Sequence, residues 1–560
     1  MRTKILLLIF SVLILNPLIS QQKKSDREKA LEILRGLTSK ERVEQRKVEH
    51  KVISDYIMSG YEEMLRKSAF LKQNIEVVPP PHLANDPNWR KKWKNPKEMT
   101  PEERERYYRE IDKNIRKVGG EADRKKLVMN GNKITVTIYN YGSLSAPGDR
   151  ITDVVWNGLG YAYEFGPLVG ASVVDTSSKR IHIITDGLLD GGDRSPDGTK
   201  RWGWQPLPGY ADPNQDKIAH NPDKDLNGDG KPDSWPSSWY DPVLGKYVWP
   251  GYLSRDATQA DLEAFYVMDD RDNEEFAYFP FPDDSSRRGL GVQAQVRVLQ
   301  WANPLAEDAI FIVYTITNVS PKDLDSVVFG MWGDPHVGGA TDYSDDDSYF
   351  IPPYNVPNYP PVDNIPVYAR SMVYIYDHDG VGEFGMKPGF LGYKFLESPG
   401  NPYDGIDNDG DGMIDESQQD GIDNDRDWNP LIDDVGVDGI PGTGDEGEGD
   451  GVPTRGRLLP DGSLDPLSPG EPNFEFTDLD ESDMIGLTSF NAFIWSTDYV
   501  SNDENIWNRL KPGNFSEIVQ TADNVFLYGS GYIQLPAGQT RRFSIALLLG
   551  EDLNDLLLNA

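Results

Sequence analysis

The sequence contains no cysteine, only 6 histidines, and far fewer basic than acidic residues. Without cysteine the chain has no disulfide, thiolate zinc site, iron–sulfur cluster or cysteine nucleophile. The histidines are scattered, and there is no His-x-x-x-His pair, Gly-x-Ser-x-Gly elbow or phosphate-binding glycine loop. These absences favour a non-enzymatic role. A glycoside hydrolase stays open, because it needs only two suitably spaced carboxylates and the chain has 91 acids.

Basic residues are concentrated near one end of the chain. Residues 21–126 contain 27 Lys and Arg against 19 Asp and Glu, whereas the whole chain carries a net charge of −35. The acidic remainder would repel nucleic acid, so no nucleic-acid partner is expected. Capping patterns and helical spacing predict a charged helical segment over 21–126, interrupted by a proline-rich linker at 77–97.

A long apolar run occurs only at the N-terminus. Arg2 and Lys4 precede the run Ile5–Leu15, which is too short to cross a bilayer, and Ser20 is a small residue before Gln21. This pattern predicts a cleaved signal peptide over 1–20. The mature chain is then expected to be secreted, without a transmembrane span.

Glycine (53) and proline (41) are abundant, and β-branched and aromatic residues alternate in short runs between them. Strands are predicted at 133–142, 180–187, 291–302, 309–320, 326–332, 371–377, 491–497 and 541–550. Helical patterns are nearly absent between these runs, so the prediction is a mainly β protein built as one or two antiparallel β-sandwiches. The last residues, "EDLNDLLLNA", predict the uncapped start of an amphipathic helix that a longer protein would continue.

The predicted organisation has five parts. They are a signal peptide (1–20), a charged helical segment (21–126), a β-sandwich region with a calcium loop at 223–233 (127–400), an Asp/Gly-rich insertion (401–455), and further strands with the start of the C-terminal helix (456–560).

One acidic loop lies within the β region, in "DKDLNGDGKPD". Oxygen-bearing side chains stand at positions 1, 3, 5 and 9 of this loop, with Gly230 at position 6 for the sharp turn and a backbone carbonyl at position 7. Calcium loops use this spacing because Ca²⁺ binds six to eight oxygen ligands. The predicted ligands are Asp225, Asn227, Asp229, Asp233 and the carbonyl of Lys231.

Two further copies of the spacing lie in the Asp/Gly-rich insertion. Residues 401–450 hold 14 Asp and 3 Glu against one Arg, so their repulsion requires either solvent or bound cations. The first copy, with Gly412 at its sharp turn, predicts Ca²⁺ ligands at Asp407, Asp409, Asp411, Asp415 and the carbonyl of Met413. The second copy lacks this glycine and predicts Asp423, Asp425, Asp427 and Asp434. The alternative is an acidic turn that stays solvated.

The strings "DNDGDGMID" and "DLNGDGKPD" resemble the Asp-rich calcium repeats of thrombospondin type 3 segments and dockerins. That resemblance implies calcium and an extracellular setting. The strings "YTITNVS…FGMWGDPHVGG" and "PAGQTRRFSIALLLGEDLNDLL" resemble segments of large uncharacterised secreted proteins of Gram-negative bacteria that use type IX secretion. This second resemblance implies an extracellular or outer-surface location and no particular activity.

Aromatic residues follow the upstream calcium loop in "WPSSWYDPVLGKYVWPGY" at 235–252. Exposed rings there would suit sugar stacking, although aromatic residues in β proteins are more often part of the core. Two short strings, "GDPH" at 333–336 and "DHDG" at 377–380, are candidates for either metal corners or ordinary turns. The expected function is therefore a calcium-binding β-sandwich with a structural, adhesive or cell-surface role and with surface or matrix components as partners. The alternative is a carbohydrate-active protein, either a glycan-binding module or a glycoside hydrolase or lyase.

Overall fold

The computed structural model describes most of the chain beyond residue 122. The described residues are 123–145, 153–189, 191–242, 244–251, 256, 260–353, 369–400, 413–418, 421–424, 426–458, 465, 468–478, 482–495, 497–516 and 521–560. The predicted signal peptide and nearly all of the predicted helical segment therefore lie outside them. The described residues outside Asp241–Gly245 belong to one compact unit, Arg90–Tyr240 with Lys246–Ala560, and the fold below is that of this unit.

The regular secondary structure of the described residues is mainly β-strand. The strands are β1 (Lys126–Met129), β2 (Val136–Tyr139), β3 (Ala162–Val174), β4 (Arg180–Asp186), β5 (Gln205–Pro206), β6 (His220–Asn221), β7 (Tyr240–Asp241), β8 (Lys246–Tyr247), β9 (Leu262–Asp269), β10 (Val292–Gln300), β11 (Ala309–Asn318), β12 (Leu324–Pro335), β13 (Asp346–Ile351), β14 (Met372–Asp377), β15 (Phe390–Glu397), β16 (Ser489–Ile494), β17 (Asn524–Leu535) and β18 (Thr540–Gly550). The α-helices are α1 (Asp503–Leu510) and α2 (Leu553–Asn559), and 3-10 turns occur at Ser237–Trp239, Glu383–Gly385 and Glu475–Thr477.

Two large antiparallel sheets form the body of the protein, as predicted. A nine-stranded sheet runs β13-β14-β15-β18-β11-β10-β9-β5, with β6 also paired to β9, and a five-stranded sheet runs β16-β17-β12-β3-β4. β11 pairs with β10 and β18, and its burial alternates along part of its length because successive side chains point to opposite faces.

Aromatic side chains from the two sheets meet in a continuous core. Phe329 of β12 stacks on Phe543 of β18 with ring centroids 4.4 Å apart. Phe165 of β3 lies 4.6 Å from Tyr393 of β15. Such large buried rings dominate the free energy of a sandwich core, since each removes 150–250 Å² of surface from water. The fold is thus an antiparallel β-sandwich.

The outer faces of the sheets are partly covered as well. α1 places Ile506, Trp507 and Leu510 against the five-stranded sheet, and α2 places Leu556 in an apolar cluster on the nine-stranded sheet. All eight residues of β9 are also buried, and an apolar cluster that includes Trp235 and Trp249 lies on its outer face. No helix among the described residues is long and apolar enough to cross a membrane.

Strands predicted from alternating patterns at 180–187, 291–302, 309–320, 326–332, 371–377, 491–497 and 541–550 are confirmed with small shifts at their ends. The C-terminal helix is also confirmed, but the expectation that it lacks a cap is wrong. The carboxylate of Asp552 accepts a hydrogen bond from the Asp555 amide (3.0 Å), which satisfies one of the free amides of the first turn.

Candidate metal centres

Three carboxylates converge at one end of the β13–β14 hairpin; we call Asp345, Asp377 and Asp379 the strand-end cluster. One oxygen of each lies within 4.8 Å of the others. The register explains this meeting, because Asp346 at the start of β13 pairs with Asp377 at the end of β14. Antiparallel pairing therefore brings the residue before one strand beside the residues after the other.

Asp377 is the buried member of the strand-end cluster, with 7 % of its surface exposed. Its Oδ1 accepts hydrogen bonds from the amides of Asp379 (3.0 Å) and Gly380 (3.1 Å). Its Oδ2 is buried and meets no hydrogen-bond donor among the described residues. Burial, followed by the charges of Asp345 and Asp379, raises the pKa of Asp377.

A fourth carboxylate, Asp342, adds to the negative charge. Burial and the neighbouring acids, led by Asp377 and Asp345, raise its pKa to about 6. Its Oδ2 is also buried without a donor among the described residues. The nearby His378 is engaged elsewhere, since its Nδ1 lies 2.9 Å from Asp347 Oδ2 and this contact raises the pKa of His378. An oxygen-only group of this charge has the chemistry that Ca²⁺ and Mg²⁺ prefer.

The string "DHDG" thus contributes two members of the strand-end cluster. The other string, "GDPH", is different: His336 is 1 % exposed and its Nε2 lies 3.1 Å from the equally buried Asp153 Oδ2. This pair belongs to the interior of the sandwich.

The upstream loop at 223–233 adopts the turn that its spacing predicts. Gly230 has φ = +85°, a conformation that residues with a Cβ rarely adopt. Asp225 accepts from the amides of Gly228 (2.7 Å) and Gly230 (2.9 Å), which gathers the loop around its carboxylate. Within this turn, Asn227 Oδ1 accepts from the amide of Asp229 (2.9 Å).

The last two predicted residues of that loop lie toward the body of the protein. Asp233 Oδ1 accepts from the Leu226 amide at 3.2 Å, which closes the turn. The side chain of Lys231 is buried; its ammonium group donates to Asp212 and to the carbonyl of Trp235. The structure therefore brings the five predicted residues into one turn, and their assignment as calcium ligands stays a prediction.

The predicted ligands in the Asp/Gly-rich insertion are described only in part. Asp407, Asp409, Asp411 and Asp425 lie outside the described residues. Asp415 donates its amide to Asp483 Oδ2 (3.1 Å), and Met413 is nearby in sequence. Asp427 donates its amide to Asp423 Oδ1 (3.2 Å). The calcium assignments of both copies stay predictions.

Asp434, the last predicted ligand of the second copy, lies beside a glycine-rich turn, and its assignment as a calcium ligand stays a prediction. Its Oδ1 accepts from the Gly449 amide and its Oδ2 from the Gly451 amide, each at 2.7 Å. Both oxygens are thus used by a glycine-rich turn downstream. Glycine-rich turns expose many backbone amides, which is the signal in the sequence that could have indicated this role.

A buried glutamate, Glu471, organises the same region. It is fully buried and accepts from the amides of Gly436 and Thr454 (2.9 Å each) and from Trp428 Nε1 (3.1 Å). Both of its oxygens are satisfied by these donors. Burial raises the pKa of Glu471, and the hydrogen bonds oppose that rise.

The tryptophans within 235–252 pack against β9. Trp249 is fully buried, Trp235 is nearly so, and both join Trp239 in a cluster on Phe265. These rings complete the outer cover of the nine-stranded sheet. Glycan binding stays a prediction. Trp235 and Trp249 are buried and present no exposed ring face on which a sugar could stack.

Comparison with known proteins gives no identity for this fold. No family model matches the chain. No curated protein matches it either. Among solved structures, a candidate aldose 1-epimerase from Escherichia coli K12 aligns over 76 % of this chain and 99 % of its own, with 7 % identity and a TM-score of 0.25. Superposition at that level supports no conclusion about fold or activity.

Proposed function

We propose that this protein is a secreted, calcium-binding β-sandwich with a structural or adhesive role at a cell surface. The observation that carries the calcium assignment is the environment of Asp377 Oδ2. This oxygen is buried, has no hydrogen-bond donor among the described residues, and belongs to a carboxylate that lies among three others. The apolar N-terminal run supports secretion, and in a secreted chain without cysteine bound calcium would supply the cross-links that disulfides otherwise provide.

A cation at the strand-end cluster would bind together two loops that the pairing of β13 with β14 places side by side. The loop before β13 and the loop after β14 both carry its acids, so a shared ion restricts the two loops at once. Extracellular calcium sites bind with dissociation constants of about 10⁻⁴–10⁻³ M. At roughly tenfold excess of calcium over that constant, one site adds about 1.4 kcal/mol to the free energy of unfolding.

Calcium binding by calorimetry tests the proposal, using Asp377→Asn and a matched control, Asp325→Asn. The control removes an exposed carboxylate from β12 and leaves the cluster intact. We expect the control to bind as many calcium ions as the unmodified protein and Asp377→Asn to bind one fewer. Equal stoichiometry and affinity in all three folded proteins would contradict the assignment.

A further inference from the structure

A second group of carboxylates lies on the outer side of the five-stranded sheet, remote in sequence from every predicted calcium loop. Asp193 belongs to the loop after β4, Glu275 to the loop after β9, and Asp503 is the first residue of α1. One oxygen of each lies within 4.8 Å of the others. We call these three residues the buried centre, since Asp193 and Asp503 are each only 3 % exposed.

Each member of the buried centre has an oxygen that the protein does not satisfy. Asp193 Oδ2, Glu275 Oε2 and Asp503 Oδ1 are buried and accept from no N–H or hydroxyl group among the described residues, and the carboxyl groups of Asp193 and Glu275 lie within hydrogen-bond distance of each other. The second oxygens of the two aspartates are held by the backbone: Asp193 Oδ1 accepts from the Arg194 amide and Asp503 Oδ2 from the Ile184 amide, each at 2.7 Å. The backbone thus fixes both carboxylates while one oxygen of each stays available.

Neighbouring basic side chains do not neutralise this charge. Arg201 donates to the carbonyls of Leu188 and Leu189, and Lys200 pairs with Glu274 at 2.8 Å. No ion pair within the described part of the chain includes a member of the buried centre. A buried charge without a partner is strongly destabilising, so three such carboxylates need protons or a cation between them.

A further acid, Asp186, fixes the loop that carries Asp193. It is fully buried and accepts from the amides of Leu188 (2.9 Å) and Asp193 (3.1 Å), which hold the loop in place. Burial first, and then neighbouring acids, raise the pKa values of Asp193 and Glu275 to about 7 and that of Asp503 to about 9. Ionising the centre is therefore unfavourable unless positive charge compensates it.

We propose that Asp193, Glu275 and Asp503 bind one hard divalent cation that fastens helix α1 and the loop after β4 to the adjacent loop. Oxygen-only ligands select Ca²⁺, Mg²⁺ or Mn²⁺ over softer metals, with water completing the coordination. Glu275 is only partly buried, in contrast to the two aspartates. The site stands on its own three residues and does not require calcium at the strand-end cluster.

Bound-metal analysis after dialysis against Ca²⁺, Mg²⁺ or Mn²⁺, together with amide hydrogen exchange, tests this site. The variant is Asp503→Asn, which keeps an oxygen for the Ile184 amide. The control is Glu504→Gln, whose side chain is 62 % exposed and contacts His182 at the surface. If Asp503→Asn fails to fold, Glu275→Gln replaces it, since that side chain is less buried.

We expect Asp503→Asn to bind one equivalent less than the control of at least one of the three cations. We also expect that this cation slows amide exchange in α1 of the control at least tenfold relative to the metal-free control. A double variant with Asp377→Asn should lose two equivalents of calcium if Ca²⁺ occupies both sites, which separates this site from the strand-end cluster. The proposal would be overturned if Asp503→Asn bound all three cations as the control does and were more stable than the control by the same amount with and without metal. That result would show that the centre holds protons.

Discussion

Glu471 and Asp377 are both buried carboxylates in acid-rich surroundings, but their oxygens are satisfied differently. Glu471 receives three donors, two from backbone amides and one from an indole, and both of its oxygens are engaged. Asp377 receives two amides on one oxygen, while the other is buried without a donor among the described residues. Acid density alone therefore does not identify a cation site; a buried oxygen without a donor within a group of carboxylates is the more specific signal.

The largest loss of stability is expected on replacing Glu471, which accepts more hydrogen bonds than Asp377. Glu471→Ala leaves the Gly436 and Thr454 amides and the Trp428 indole without an acceptor, and each unsatisfied buried donor costs about 1–3 kcal/mol. We expect urea unfolding to show a loss of roughly 3 kcal/mol, equal in calcium and in chelator.

The control for that variant is Glu446→Ala, in which the lost side chain is 72 % exposed and pairs with Arg457. Its effect should stay within about 0.5 kcal/mol. If Glu471→Ala destabilised the protein only in calcium, Glu471 would belong to a cation site and the contrast with Asp377 would disappear.

A smaller effect is expected in the dependence of stability on pH. Burial holds the pKa of Asp503 at about 9 in the folded protein, well above its value in the unfolded chain, so the folded state binds the proton more tightly. The stabilisation from this proton is complete below about pH 4 and is lost as the pH rises toward 9. Asp193 and Glu275, whose pKa values are raised to about 7, act in the same direction.

Metal-free protein should therefore lose stability between pH 5 and 8, and Asp503→Asn should reduce that loss by an amount on the order of 2 kcal/mol. Thermal unfolding in chelator at several pH values measures it. Asp186, Asp270 and Asp346 also have raised pKa values and remain in both proteins, so only the difference between the two profiles reports on Asp503. Identical profiles would mean that Asp503 ionises without penalty.

Periodicity identified the strands that are buried on one face or rich in β-branched residues, such as β10 and β11. It missed β3, where Gly166, Pro167 and Gly170 interrupt the pattern of an otherwise buried strand. It also missed β9, because covers on both sides remove the alternation between apolar and polar residues. The short helix α1 escaped as well; its cap, Asn502, is one of many such residues in loops.

The candidate sites also differ in how far the sequence alone could identify them. The loop at 223–233 is local, so its residues could be found from spacing, and the turn at Gly230 forms as predicted. The string "DHDG" was recognised as ambiguous, but Asp345 joins it only through the pairing of β13 with β14. The buried centre combines three distant segments, and no local pattern in a single sequence indicates that they meet.

Measuring the unfolding free energy of Asp377→Asn with and without calcium tests most directly whether a buried carboxylate oxygen that has no donor and lies among other carboxylates marks a cation site. In chelator the variant should match or exceed the unmodified protein, because it removes a charge repelled by Asp345 and Asp379. At calcium tenfold above the dissociation constant it should be less stable by about 1.4 kcal/mol. A difference between the two proteins that calcium leaves unchanged would contradict the claim.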